Sequence, residues 1–309
     1  MFCLMTVGIL FGISIFFLGL LLMNHSFTLL FGNRLKKYIR RSTSNPLLGV
    51  LTGLAVTALT QSSSGTTVMT VSLVNSGVMN LYQAAPVIMG ANIGTTITGQ
   101  LIAFNFFSAI PKILFLGVLL YSLNITSFSR YLGKFLIGFA CLFLGIRVMN
   151  YSLDPLKYMI GFKELIISVE NQKIKGIALG AAITAIIQSS STAIAIIQGL
   201  AHGGLINIYC AAPVILGLNI GTCATTLISG LASDKNGKRA AVIHLLFNII
   251  GTVIFCPFLT FFSRIIYTLT PNNPIKQVSN YHSLFNILST IVLFPFISLM
   301  VKISKKIIR

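Results

Sequence analysis

Two tetrads repeat in this chain, Gln61-Ser62-Ser63-Ser64 and Gln188-Ser189-Ser190-Ser191. Their side chains supply neutral hydrogen-bond donors and oxygen acceptors, with no carboxylate, imidazole or ammonium among them. Such a set binds rather than reacts. Hydroxyl and amide donors suit an oxyanion, and the same oxygens suit a hard monovalent cation such as Na⁺. Two more polar runs, Asn92-Ile93-Gly94-Thr95 and Asn219-Ile220-Gly221-Thr222, add amide and hydroxyl oxygens inside apolar sequence. Spacing is the stronger signal. Both tetrads and both Asn-Ile-Gly-Thr runs recur at an offset of 127, with Ala84–Ile88 matching Ala211–Ile215 without a gap. Upstream, Phe17-Leu18-Gly19 with Met23-Asn24 matches Phe143-Leu144-Gly145 with Met149-Asn150 at an offset of 126. The chain is a duplication.

The elements that position these residues must lie in a bilayer. Of 309 residues 55% are hydrophobic and only 8% charged, against about 25% charged in a soluble domain. Mean hydropathy is +0.91. This excludes a water-soluble enzyme, a disordered chain and a disulfide scaffold. The five cysteines show no CxxC spacing and read as small buried hydrophobes. A spanning helix needs about 20 apolar residues, and Leu4–Met23, Ala109–Ile125, Tyr131–Asn150, Ala240–Phe262 and Ser283–Val301 are read as full spans. The first lacks the basic flank and cleavage site of a signal peptide and is kept as a helix.

Residues 45–77 and 175–204 read differently. Pro46–Thr60 is 15 residues, roughly 22 Å as a helix, too short for a hydrocarbon core of about 30 Å. It runs into the first tetrad before apolar character resumes. The pattern predicts a re-entrant hairpin with a polar tip at mid-membrane, followed over 81–104 by a helix broken at Asn92–Thr96. The second copy predicts a hairpin at 175–204 and a broken helix at 208–231. The expected fold is an all-α polytopic membrane protein with two repeats and a C-terminal helix. Residues 1–126 form the first repeat (broken helix 81–104, helix 109–125) and 127–265 the second (helix 131–150, broken helix 208–231, helix 240–262). Residues 266–309 form the last span and a basic tail. Three spans separate the two hairpin entrances, so the repeats are inverted, the architecture of secondary transporters with substrate at the repeat interface.

The formal charge of +18, from 22 Lys and Arg against four acids, sits mostly in short loops. It reads as topology rather than nucleic-acid binding. Counting loops by side puts fourteen basic residues, Arg34 to Arg41 and Lys302 to Arg309 among them, with Arg130, Lys134, Lys235, Lys238 and Arg239 on one face and eight on the other. The richer face is cytoplasmic. That orients the N-terminus outside and the C-terminus inside, in the cell (inner) membrane.

Absences decide the coupling. No Asp or Glu falls in an expected span, so a carboxylate proton relay is unavailable, and no Lys or Arg falls in a tetrad. Desolvating an unpaired anion costs many kcal/mol. Each tip exposes a helix N-terminus, which favours an anion, and co-bound cations supply the missing positive charge. The residues therefore describe a cation-coupled anion transporter. The competing structural reading is that the serines only bond back to helix carbonyls.

These elements, with Asn45-Pro46-Leu47-Leu48-Gly49 and two His-x-x-Phe-Asn runs at His244–Asn248 and His282–Asn286, resemble the sodium-dependent phosphate cotransporter family, bacterial type II-like. The resemblance implies phosphate and Na⁺ as transported substrates, with no cofactor beyond Na⁺ as coupling ion and no enzymatic activity. It implies Gln61, Ser62, Ser63, Ser64, Gln188, Ser189, Ser190 and Ser191 as binding residues, supported by Thr66, Asn92, Thr95, Thr192, Asn219 and Thr222. The copies diverge after the tetrads, Gly65-Thr66-Thr67 against Thr192-Ala193-Ile194, so the two cation sites are not equivalent. Many bacterial members continue into a cytoplasmic phosphate-regulatory domain; regulation of that kind is expected here only if a separate protein supplies it. Export, or transport of sulfate or arsenate, is the alternative, and a non-transporting membrane scaffold the competing class. The His/Asn pairs read as interhelical hydrogen bonds, with a pH gate as the sharper alternative.

Overall fold

In a computed structural model, residues 2–42, 45–104 and 108–309 are described, and among them there is no strand. The first half runs α1 (Phe2–Ser42), α2 (Pro46–Thr60), α3 (Ser63–Asn75), α4 (Leu81–Ala103) and α5 (Ile110–Leu123). The second half runs α6 (Ser127–Leu153), α7 (Ile160–Asn171), α8 (Lys173–Ile187), α9 (Ser190–His202), α10 (Ile208–Gly221) and α11 (Cys223–Leu231). The chain ends in α12 (Lys235–Phe255), α13 (Leu259–Leu269), α14 (Pro274–Leu293) and α15 (Ile297–Ile307). Five segments are long and apolar enough to cross a bilayer: Met5–Phe27, Ser127–Leu156, Ile208–Leu231, Lys235–Leu269 and Pro274–Ile307. The chain is a polytopic, all-helical membrane protein. The side chains of Arg34, Lys36, Lys37, Arg40, Arg41 and Lys157, counted in the charge argument, lie outside the described ones.

Three expectations are corrected. The helix at 81–104 does not break: α4 is continuous over 23 residues, roughly 35 Å. Asn92 and Thr95, which resemble breakers in sequence, return their side chains to the carbonyls of Ile88 (2.9 Å) and Ala91 (3.1 Å). In the second copy the interruption is one residue, Thr222, whose dihedrals of φ −58° and ψ −26° are helical. Ala109–Ile125 is not a full span, because α5 has 14 residues and ends where Asn124 turns left-handed at φ 45°. The expected span Leu4–Met23 is borne out: it lies in a 41-residue helix whose Met5–Phe27 stretch is long and apolar enough to cross a bilayer.

Helices α12–α13 and α14–α15 form a second related pair. His244, Phe247, Asn248 and Pro257 recur at an offset of 38 as His282, Phe285, Asn286 and Pro295. Each proline sits in a three-residue 3₁₀ turn, Cys256–Phe258 and Phe294–Phe296, because it can neither donate to the helix ladder nor avoid the preceding carbonyl.

Lipid tails are as apolar as leucine, so close packing rather than water exclusion holds such helices together. Glycine makes it possible at two matched points. A Cβ at Gly53 would lie 2.0 Å from the Val87 carbonyl, and one at Gly90 would lie 1.9 Å from that of Val50. Gly180 and Gly217, their counterparts 127 residues on, stand 2.1 and 2.0 Å from the carbonyls of Val214 and Ile177. Each half thus clamps the first helix of its tetrad-bearing pair, α2 or α8, against the helix that follows, α4 or α10. The second helices, α3 and α9, also reach the C-terminal helices. Val71 and Val74 of α3 join Phe247 of α12 and Val301 of α15 in one core, while Ile194 and Ile197 of α9 join Val278 and Phe285 of α14 in another.

Candidate functional site

The tetrads build the same turn twice. Helix α2 stops at Gln61, which is left-handed (φ 54°, ψ 27°), and Ser62 is extended (φ −143°, ψ 95°) as the N-cap of α3. Gln188 (φ 58°, ψ 20°) and Ser189 (φ −143°, ψ 106°) repeat this between α8 and α9. Ser62 Oγ accepts from the Gly65 N–H at 3.1 Å, and Ser189 Oγ accepts from that of Thr192 at 3.3 Å. The first two N–H groups in each helix, of Ser63 and Ser64 and of Ser190 and Ser191, have no carbonyl within reach in their own helix. They carry the positive end of the helix dipole.

Left-handed backbone costs a non-glycine residue about 1–2 kcal/mol. Glutamine holds that position in both copies although glycine would hold it without strain, which points to the amide as the reason for the residue. Gln61 is buried. Its Nε2 donates to the Ala58 carbonyl and its Oε1 accepts from Thr98 Oγ1 at 2.8 Å. Gln188 is exposed.

Both tips meet in one place. A cavity of about 140 Å³ is lined by all eight tetrad residues, together with Phe17, Leu20, Leu21 and Asn24 of α1. No lining residue carries a formal charge. The two halves are joined reciprocally: Ser191 Oγ lies 3.3 Å from Thr98 Oγ1 of α4, and Ser64 Oγ lies 3.3 Å from Thr225 Oγ1 of α11. Each tip therefore touches a helix of the other half, α4 or α11, and Gln61, Thr98 and Ser191 form a continuous chain across the join.

The supporting residues fall outside that lining. Thr66 Oγ1 bonds to Thr57 Oγ1 (2.9 Å) and to the Ser62 carbonyl (3.0 Å), and Thr192 Oγ1 to Ser189 Oγ (2.9 Å). Asn219 and Thr222, like Asn92 and Thr95, bond to carbonyls one turn back, of Ile215 and Leu218. Sequence reasoning missed Thr98 and Thr225. Their shared offset of 127 was the available signal, and Asn24 had already appeared in the repeat match. Among the described residues there is no cluster of three or more His, Cys, Asp or Glu able to hold a metal.

The sequence profile of the Na⁺/Pi-cotransporter family matches residues 15–151 and 158–292. The chain belongs to the Na⁺/Pi-cotransporter family. One matched segment holds the first tetrad and the other the second. This is a family of transporters, not of enzymes. Among relatives, the chain is 29% identical over 238 residues to the uncharacterized protein YqeW of Bacillus subtilis, covering 77% of each. It is 27% identical to YjbB of Escherichia coli, a protein named for inorganic phosphate export, over 74% of this chain but 42% of YjbB. It is 42% identical to human sodium-dependent phosphate transport protein 2B over 98 residues, 31% of this chain and 14% of that protein. No solved structure matches the chain.

Family membership gives the site's chemistry a direction. The cavity brings two helix N-termini together with hydroxyl and amide oxygens and no charged side chain.

Proposed function

We propose that the protein is a sodium-coupled inorganic phosphate transporter, a symporter working by alternating access, with the two tetrads as one shared site. The observation that carries this reading is the single cavity bordered by Gln61–Ser64 and Gln188–Ser191 with no charged side chain in its lining. Phosphate bonds there to the first-turn N–H groups and serine hydroxyls. Na⁺ bound to neighbouring oxygens balances the charge, with Thr66, Asn92, Thr95, Thr192, Asn219 and Thr222 as supporting oxygens. Anion affinity then depends on the cation because neither is solvated well alone.

The same reading assigns α2–α3 and α8–α9 as re-entrant hairpins within inverted repeats at 1–126 and 127–265, followed by 266–309. The helices α2 and α3 are 15 and 13 residues long, each under the length of a full crossing. The reciprocal Ser191–Thr98 and Ser64–Thr225 contacts support a twofold relation between the halves. The protein is placed in the cell (inner) membrane with its N-terminus outside and C-terminus inside. A reversible carrier runs with its gradients, and the likeness to YjbB favours export as the second reading of direction.

The test is radiolabelled phosphate flux in proteoliposomes with and without a Na⁺ gradient, with sulfate as competitor. Na⁺-dependent flux resistant to sulfate supports the reading. Flux indifferent to Na⁺ removes the coupling, and strong sulfate inhibition moves the substrate to another oxyanion.

A further inference from the structure

The two halves are not equally wired behind their tips. Behind the first lies a file of buried hydrogen bonds: His244 Nδ1 to Thr226 Oγ1 at 3.0 Å, Thr226 Oγ1 to Thr67 Oγ1 at 2.9 Å, and Thr67 Oγ1 to the Ser64 carbonyl at 3.1 Å. Thr67 and Thr226 are fully buried and His244 is 1% exposed. The direction of every bond follows from proton counting. A carbonyl only accepts, so the Thr67 proton points at Ser64. A hydroxyl has one proton, so Thr67 accepts from Thr226, and Thr226 in turn accepts from His244. His244 therefore donates through its Nδ1–H, and its Nε2 has no partner among the described residues.

The file spans three elements, α12, α11 and α3, and ends on the first turn of α3. That turn carries the Ser63 and Ser64 N–H groups at the cavity. In the other half the positions equivalent to Ser64, Thr67, Thr226 and His244 are Ser191, Ile194, Gly99 and His282. The hydroxyls are gone. A Cβ at Gly99 would lie 3.3 Å from Ile194 Cγ2, so apolar packing fills that space, and both ring nitrogens of His282 have no partner among the described residues. Helix α9 is tied instead through Gln198, whose Nε2 donates to the Gly99 carbonyl (3.0 Å) and to Ser279 Oγ (2.6 Å). Gln198 lies seven residues beyond Ser191, roughly 10 Å along the helix.

We propose that His244, Thr226 and Thr67 are positioning residues that hold the first turn of α3 in its anion-binding pose, making the first tip the preorganised half of the site. The inference rests on the transport reading above. Holding that turn fixed before binding removes an ordering cost from phosphate capture without adding a contact to phosphate. Its loss therefore appears in affinity rather than in turnover.

The experiment is phosphate uptake into proteoliposomes at saturating Na⁺, with melting temperature measured on the same detergent preparations. Thr67→Val and Thr226→Val, which keep shape and lose the hydroxyl, are expected to raise the half-saturating phosphate concentration about fivefold, the effect of one hydrogen bond. Maximal flux, and the Na⁺ half-saturation at saturating phosphate, stay within twofold. Thr226→Ser restores the wild-type phosphate value, and Ile194→Val, at the mirror position, leaves it unchanged. An unshifted phosphate half-saturation in Thr226→Val overturns the proposal, as does a serine variant that fails to restore it. So does lower maximal flux at constant half-saturation, the signature of a merely structural role. Wild-type flux that ignores Na⁺ would instead overturn the transport reading and leave the phosphate comparison among variants intact.

Discussion

Replacing Gln188 by glycine separates binding from architecture at the second tip. Gln188 sits at φ 58°, where a side chain costs about 1–2 kcal/mol and glycine costs nothing. Against this relief, glycine has a freer unfolded chain, which takes back about 0.4–1 kcal/mol. Among the described residues none hydrogen-bonds the Gln188 side chain, which is exposed, so little else is lost. The net expectation for Gln188→Gly is unchanged stability or a gain of up to about 1.6 kcal/mol. Transport moves the other way. An amide donor to a bound anion contributes about 1.5–3 kcal/mol, which is roughly a 10- to 100-fold loss of transport efficiency. Gln188→Ala keeps the strain and loses the amide, so it is the less stable of the two variants and equally impaired. Thermal unfolding in detergent and initial phosphate flux in proteoliposomes are measured on all three proteins. Wild-type flux in Gln188→Gly refutes the assignment of the amide to substrate, and a clear drop in its melting temperature refutes the argument from backbone strain.

Thr98→Val and Ser191→Ala each reduce flux severalfold, and the double variant is no worse than the more impaired single, because one chain of hydrogen bonds joins them at 3.3 Å; additive losses in flux would show that the contact carries no coupling. Gly90→Val forces a side chain into the carbonyl of Val50, 1.9 Å from the site of its Cβ, and yields no monodisperse protein on size-exclusion chromatography, an expectation contradicted by a wild-type elution profile. Gln61→Ala breaks the bond from Thr98 at 2.8 Å and destabilises by about 0.5–1.5 kcal/mol, while losing flux as Gln188→Ala does; an unchanged melting temperature would show that the bond contributes nothing to stability.

What the sequence disclosed depended on range. The tetrads were legible because duplication displayed the same four residues twice, and their local role as a left-handed stop followed by an N-cap follows from short-range chemistry. The break expected at Asn92–Thr96 was misread for a physical reason. Asn, Gly and Thr weaken a helix in isolation, but Asn92 and Thr95 satisfy carbonyls of their own helix, and Gly94 packs against Thr57, whose Cβ would stand 2.6 Å from an added methyl. Residues of breaking type therefore serve close packing. Thr98 and Thr225 were hidden because each sits inside a helix of the opposite half from the serine it meets, a pairing that only tertiary structure reveals. The short α5 turned on Asn124 adopting a left-handed conformation, a choice that apolar patterning does not encode.

Equilibrium binding of radiolabelled phosphate to the detergent-purified protein, in NaCl and in choline chloride, tests most directly whether both tips and the cation make one site. The account predicts saturable binding in Na⁺ that disappears in choline and is lost on changing Ser63 or Ser190 to proline, which removes one first-turn N–H from either tip. Phosphate bound equally well in choline, or retained in full by one of the two variants, contradicts it.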